Sequence, residues 1–528
     1  MTLEEVDVLS TVEDRLDSSE HVIKTTKSLC PECLKILQAT IFERDNKVWI
    51  KKKCPDHGGV IELYWGDYPM YLKVREAAYE GQAILKPNTP IERGCPFDCG
   101  LCELHTSHTA LANIVLTNRC DLSCWYCFFY AKKGDRIYEP SLDQIQTMLR
   151  TLKSQKPIAP NSIQLTGGEP ALRDDIYDIV RLVREEGFNH IQFNTNGIRL
   201  ANDPNFARNL LEAGVNVIYL SFDGVTPEAN PKNHWEIPKI LENCRNGGPG
   251  IVLVPTVIKG KNDHEMGDIV RFAFAHVDKV RAVNIQPVSL VGRMPRRERE
   301  RHRITIPDVI KRIEEQTDGQ IGREAFYTIP NAMGISHLVQ TLSGRPIYEL
   351  SNHFACGMAT YVFKEGDQMI PITDFFNVDG FFELCEQTAN NLQDRKGGTW
   401  TKFKFLWRLR KLIDTKRQPK GVNIRHLLML IFRKGNYDGL RAFHHASLFI
   451  GIMHFQDLYN YDIERVQRCN IHYAMPDGTI VPFCAFNVIP VHYRDKIQEE
   501  YSIPQEQWER EHKRSLKDDK YLRKPPPY

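Results

Sequence analysis

Three cysteines, Cys120, Cys124 and Cys127, stand in the spacing C-x3-C-x2-C within Asn118-Arg-Cys-Asp-Leu-Ser-Cys-Trp-Tyr-Cys127. Three thiolates hold three irons of a four-iron cubane and leave the fourth without a protein ligand. An iron left open in this way can chelate a small molecule, so the triplet reads as a reactive cluster site. A zinc knuckle that lacks its fourth ligand would show the same spacing. The chain has 14 cysteines in 528 residues. Clustered cysteines in a reducing compartment point to metal or redox chemistry more than to disulfides.

The remaining cysteines fall into further groups. Cys95, Cys99 and Cys102 repeat the C-x3-C-x2-C spacing just upstream, which suggests a second, auxiliary cluster. Cys30-Pro-Glu-Cys33 and Cys54-Pro-Asp-His57 resemble the paired knuckles of a rubredoxin or zinc ribbon. Sulfur-rich tetrahedral geometry suits iron or zinc, with His57 or one more cysteine as fourth ligand. Cys469 and Cys484 sit at the two ends of an expected hairpin turned by Pro476-Asp-Gly478. Cys356 and Cys385 complete a four-cysteine set with them. Cys244 lies on the apolar face of an expected helix and reads as core.

The elements that must position these groups can be read from periodicity. Strands are expected at Asn113–Thr117, Ser162–Thr166, His190–Asn194, Val217–Phe222, Ile251–Ile258 and Ala282–Gln286. Helical stretches alternate with them: Leu142–Ser154, Asp174–Glu186, Asn205–Ala213, Ile237–Cys244 and His264–His276. Gly187 and Gly214 stand where helix C-caps are expected. Six β/α repeats imply an α/β domain with a parallel sheet and right-handed crossovers. Its ligands bind at the C-terminal ends of the strands, whether the sheet is open or barrel-like. The chain divides into residues 1–27, an acidic N-terminal segment; 28–110, a cysteine-rich metal module; 111–290, the β/α domain; and 291–528, a C-terminal auxiliary-cluster and substrate region ending in a loose tail at Tyr521–Tyr528.

Composition narrows the class. Hydrophobic residues make up 42% and charged residues 26%, and the net charge of +2 gives no push toward nucleic acid. No signal peptide is visible, and the apolar run Leu427–Phe432 is far too short to span a bilayer. A cytoplasmic location is expected. Contact with the inner membrane face stays open, because Thr401–Ile413 mixes basic and aromatic residues as an amphipathic surface helix does.

The cluster triplet follows the first strand, Tyr126 precedes its last cysteine, and Thr166-Gly-Gly-Glu-Pro170 follows the second strand. These features resemble the radical S-adenosylmethionine (SAM) superfamily. The resemblance implies a partial (β/α)6 barrel and a 4Fe–4S cluster on Cys120, Cys124 and Cys127. It implies SAM near Tyr126, Gly167, Gly168 and Glu169, with further contacts near Asn196, Ser221 and Asp223. It also implies one or two auxiliary 4Fe–4S clusters, a mononuclear iron or zinc, and an electron donor such as ferredoxin or flavodoxin. The full order of cysteine motifs resembles archaeal tetraether lipid synthases, which join terminal methyl carbons of isoprenoid lipid chains. A lipid substrate is therefore expected first. A related branch, radical SAM methyltransferases acting on a pterin, is the alternative. A non-catalytic iron–sulfur electron carrier is the alternative of another class.

Overall fold

The computed structural model describes residues 20–81, 84–129, 135–393, 398–426 and 447–523. The apolar run Leu427–Phe432 and the residues beyond Arg523 lie outside the described residues.

The N-terminal module is an antiparallel meander of β1 (His21–Leu29), β2 (Ile36–Arg44), β3 (Lys47–Cys54) and β4 (Gly58–Trp65). β1 begins at His21, so the ordered ribbon takes in the last residues of the expected acidic segment. Cys30 and Cys33 lie in the turn after β1; Cys54 and His57 flank the turn between β3 and β4.

The central domain alternates strands and helices as the periodicity predicts. Six parallel strands run side by side: β5 (Leu111–Thr117), β6 (Ser162–Gly167), β7 (His190–Thr195), β8 (Val217–Ser221), β9 (Gly250–Val254) and β10 (Val280–Pro287). Their outward residues form a continuous apolar row, Ile114 beside Leu165, Phe193, Ile218 and Ile251. Helices α1 (Leu142–Lys153), α2 (Ile176–Glu185), α3 (Phe206–Ala213), α4 (Ile237–Arg245) and α5 (Met266–Ala275) cover that row. In α1, Ile145, Met148, Leu149 and Leu152 fall on one buried face, and Ser141 with Gln144 forms a capping box at its start. Gly187 and Gly214 follow α2 and α3 with φ of 87° and 131°, a region that L side chains rarely adopt.

The C-terminal region completes the same sheet. β11 (Gly357–Glu365) pairs antiparallel with β12 (Leu448–Met453), and β12 pairs parallel with β10. On the other edge, β13 (Ile471–Ala474) pairs parallel with β5 and forms the expected hairpin with β14 (Ile480–Pro482). Among the described residues, eight strands thus run parallel side by side where six are expected. The additional two are separated from the alternating pattern by long insertions, which hides them from a periodicity reading. Tyr521 to Arg523, expected as part of a loose tail, lie across the central domain instead: Tyr521 N donates to Asp121 O at 3.2 Å, and Arg523 pairs with Glu236 at 2.9 Å.

A buried ionic link ties the ribbon to this sheet. Arg303 pairs with Glu62 of β4 at 2.9 Å and with Asp457, after β12, at 2.9 Å. Removing one member of a buried ionic network leaves its partners charged and unpaired. Arg303→Met should therefore lower stability by about 3–5 kcal/mol. The measurement is the denaturant midpoint of the metal-loaded protein, and an unchanged midpoint would show that the link contributes nothing.

Candidate active site and metal centres

The ends of the parallel strands bring the expected SAM-site residues together. Gly168 N donates to Thr117 O at 2.8 Å, and Glu169 N donates to Arg119 O at 2.7 Å. The turn after β6 is thereby held against the loop that begins the cysteine triplet. A Cβ on Gly168 would lie 2.0 Å from Arg119 O, and one on Gly167 would lie 2.3 Å from Thr117 O. Both neighbours are backbone, so glycine is required for the approach. Glu169 is buried and accepts from Ala171 N at 3.0 Å, Thr195 Oγ1 at 2.8 Å and Asn196 N at 2.7 Å. Burial and the nearby Asp121 push its carboxyl up to about 8, against the pull of these three donors. Asn196 Nδ2 reaches back to Asp121 Oδ1 at 2.6 Å, next to Cys120.

A second group stands at the end of β8. Asp223 accepts from Thr256 N at 2.9 Å and pairs with Lys232 Nζ at 2.7 Å. The Tyr126 hydroxyl donates to Asp223, and Lys232 donates to Ser221 Oγ. Burial and the Asp223 carboxylate hold the Tyr126 phenol well above its ordinary range. Lys232, Asp121 and Asn233 were not among the sequence candidates. Asn233 Nδ2 donates to the carbonyls of Asn196 and Ser221 at 2.6 and 2.7 Å, binding the two strand ends together. No spacing rule marks these residues; Lys232 is one basic residue in a long loop.

The Cys120, Cys124 and Cys127 sulfurs fit a cluster by their donor set. Leu122 N already donates to Cys120 Sγ at 3.4 Å. Burial raises the Cys120 and Cys124 thiols, while Lys232 opposes the rise at Cys124. The ribbon group has a different scale. Cys30, Cys33, Cys54 and His57 place all their ligand atoms within 4.8 Å of one another. Cys33 Sγ stands 3.8 Å from Cys54 Sγ, and Cys54 Sγ stands 3.4 Å from His57 Nδ1. Ligands at about 2.3 Å around a tetrahedral zinc are spaced at roughly this distance. His57, not another cysteine, is the fourth group at this site.

Cys95, Cys99 and Cys102 surround a small space beside Val466, Gln467 and Pro482. Asp98 organises their loop by accepting from the N–H groups of Glu92, Arg93 and Gly94 at 2.8, 2.5 and 2.6 Å. Cys469 and Cys484 are raised by burial, with Cys356 near both adding to the rise. Cys385 does not join them. It is fully buried on the helix Val378–Gln393, packed among Leu338, Phe363, Phe381 and Leu384. Of the expected four-cysteine set, Cys385 alone thus lies on an apolar helix face within a separate core. Cys244 is likewise buried in the main core. The expected surface helix spans Gly398–Lys411, and it turns Phe405 and Leu409 into the core while Phe403 and Trp407 stay exposed.

The inner face of the sheet combines apolar and amide side chains. Val217, Tyr219, Val252, Val254, Ala282 and Phe449 form an apolar cluster there. Gln164 and Asn194 share a hydrogen bond beside it, and Asn194 Nδ2 donates to Thr166 Oγ1 at 3.3 Å.

Comparison with known proteins agrees with this arrangement. The model of the radical SAM superfamily matches residues 114–273, and that of the HMPTM N-terminal zinc ribbon domain matches residues 22–66. The chain is 44% identical over 507 residues to a 7,8-dihydro-6-hydroxymethylpterin dimethyltransferase from Methanocaldococcus jannaschii, covering 94% of this chain and 99% of that one. It belongs to that family, within the radical SAM superfamily. A GTP 3′,8-cyclase from Limosilactobacillus fermentum is 30% identical over 188 residues, 33% of this chain and 54% of that protein. Among solved structures, a radical SAM methyltransferase from Kitasatospora setae with cobalamin and a 4Fe–4S cluster bound is 14% identical, with a TM-score of 0.29, covering 75% of this chain and 70% of that one. The chain is thus a radical SAM enzyme, whose cofactors are a 4Fe–4S cluster and SAM, and the reading as a non-catalytic carrier falls.

The expected lipid substrate is corrected by the same comparison. The relative that spans nearly the whole chain is described as acting on a pterin. The order of cysteine motifs is common to both branches and does not separate them. Among the described residues, no helix is long and apolar enough to cross a membrane, and nothing here supports peripheral membrane contact.

Gly168→Ala should displace the cluster loop, because Arg119 O is backbone and cannot swing away. Loss of SAM cleavage in an anaerobic assay is expected, with the ribbon metal retained. Cys385→Ala should leave iron content unchanged, whereas Cys469→Ala should lower it.

Proposed function

We propose that this chain is a radical SAM methyltransferase acting on a pterin. The observation that carries the reading is the 44% identity over 94% of the chain and 99% of a pterin dimethyltransferase, beside the match to an HMPTM N-terminal zinc ribbon. The inner face of the sheet supports it: a planar heterocycle with a hydrogen-bonding edge suits aromatic walls at Tyr219 and Phe449 beside the amides of Gln164 and Asn194.

In this reading Cys120, Cys124 and Cys127 hold the SAM-binding cluster, and Gly167, Gly168 and Glu169 line the methionine end of SAM. When bound, the cluster and SAM supply one-electron cleavage and a hydrogen-abstracting radical. The protein's task is orientation and exclusion of water. Buried Glu169 accepts from an ammonium, and the backbone at Gly168 brings that carboxylate beside the cluster loop. Asn196 holds Asp121 in place. Asp223, with Tyr126 and Lys232 on it, is placed for hydroxyl recognition near the strand ends. The Cys95 triplet and the set of Cys356, Cys469 and Cys484 hold auxiliary clusters. Cys30, Cys33, Cys54 and His57 hold one iron or zinc that staples the ribbon. A low-potential carrier such as ferredoxin or flavodoxin supplies the electron.

The test is anaerobic incubation of reconstituted protein with SAM, a reductant and 7,8-dihydro-6-hydroxymethylpterin, followed by mass analysis. A product heavier by one and then two methyl groups is expected. Release of 5′-deoxyadenosine without any methylated pterin would overturn the substrate assignment while leaving the radical SAM assignment standing. Asn194→Ala should raise the KM for the pterin with SAM cleavage retained.

A further inference from the structure

We propose that Arg465 is the counter-charge of an iron–sulfur site held by Cys356, Cys469 and Cys484, and that it sets the reduction potential of that site. The inference concerns the auxiliary site alone and does not depend on which substrate is methylated.

Arg465 lies in the short helix Ile463–Gln467 and is 3% exposed. Its Nε donates to Cys356 Sγ at 3.4 Å, and its Nη2 donates to His454 O at 2.6 Å. The other deeply buried arginines each have a carboxylate. Arg303 has Glu62 and Asp457, Arg299 has Glu62, Arg119 has Glu139 and Asp519, and Arg494 has Asp495. Among the described residues, no carboxylate oxygen forms an ion pair with Arg465. Its main electrostatic neighbours are Cys356, Tyr64 and Cys484.

A buried guanidinium without an anion carries a large desolvation cost. Neutral thiols would leave that cost unmet. Ligation to iron meets that cost. Metal-bound cysteines are thiolates, and thiolates supply the anionic partner that Arg465 lacks. Lys232, which acts on Cys124, differs in this respect, because Asp223 pairs with it at 2.7 Å.

The consequence is electrostatic. Reducing a cluster by one electron adds one negative charge to it. A fixed, uncompensated cation in contact with a ligand sulfur favours the reduced form, and low local dielectric strengthens the effect. Arg465 therefore raises the potential of this site relative to the same site without it. The site is suited to accept an electron, not to deliver one to SAM.

The experiment is a redox titration monitored by electron paramagnetic resonance on the full-length, anaerobically reconstituted protein. In Arg465→Gln, one auxiliary signal should move to more negative potential, while iron content and the potential of the SAM-binding cluster stay as in the wild type. Arg465→Lys keeps the charge and should hold the signal near its wild-type potential. A Cys356→Ala, Cys469→Ala, Cys484→Ala variant should lose that signal and about four irons per chain, as one cubane holds. Unchanged potentials in Arg465→Gln at full iron content would overturn the proposal, as would full iron in the triple cysteine variant. If Arg465→Gln does not fold or loses the iron, Arg465→Lys decides: wild-type iron and potential sustain the charge role, and failure like that of the glutamine variant refutes it.

Discussion

The close approach of two backbone segments governs the active site. The turn after β6 presses Gly167 and Gly168 against Thr117 and Arg119, the last residues before Cys120. From that contact the rest of the site follows as a closed circuit. Glu169, next in the turn, accepts from the end of β7 at Thr195 and Asn196. Asn196 in turn binds Asp121, which follows Cys120. The cluster loop is thus fixed at both sides of its first cysteine by a path that returns to itself. Arg119 is anchored from outside by Glu139 and Asp519 and lies over Trp508, so the C-terminal segment also braces the loop.

Buried charge is the second organising constraint. The ribbon is small, and its contacts with the sheet are strongly polar: Glu62 to Arg299 and Arg303, Tyr64 OH to Asp462 at 2.9 Å, and Lys52 Nζ to Leu458 O at 2.7 Å. The buried arginines here are ion-paired, while the Lys52 ammonium is held by hydrogen bonds to Ser28 Oγ and Leu458 O. Lys52 shows the strain of the arrangement, since burial lowers its ammonium to about 7. Buried ionic contacts of this kind resist sliding, because a shift of a few ångströms would strand several charges together. The ribbon, with its own metal site, is thereby fixed to the end of the sheet that carries the auxiliary cysteines.

The β/α domain was legible because its signals are local. Apolar alternation marks β5 to β10, a 3.6-residue stripe marks α1, and glycines with positive φ close α2 and α3. The cysteine groups were legible for a related reason, since metal geometry imposes short spacings that chance seldom repeats. What escaped is non-local. Cys385 and Cys356 look alike in sequence, and only the fold separates a thiol packed in an apolar core from one facing Arg465. Lys232 and Asn233 act through positions that a long loop brings to the strand ends. Strands β12 and β13 extend the parallel sheet from the far end of the chain.

The substrate was the least legible feature, and the chemistry explains why. The thiolates, glycines and carboxylates that form the motifs all serve electron delivery and SAM orientation, which every branch of such a family shares. In the proposed reading, discrimination falls to residues on the inner face of the sheet, such as Gln164, Asn194, Tyr219 and Phe449, each contributed by a different strand. Inner and outer residues alternate along each strand, so these side chains appear in the sequence as single polar or aromatic positions within apolar runs. Nothing in their spacing joins them; the sheet does. A reaction type can therefore be read from contiguous motifs, whereas a substrate must be read from a surface assembled across several strands.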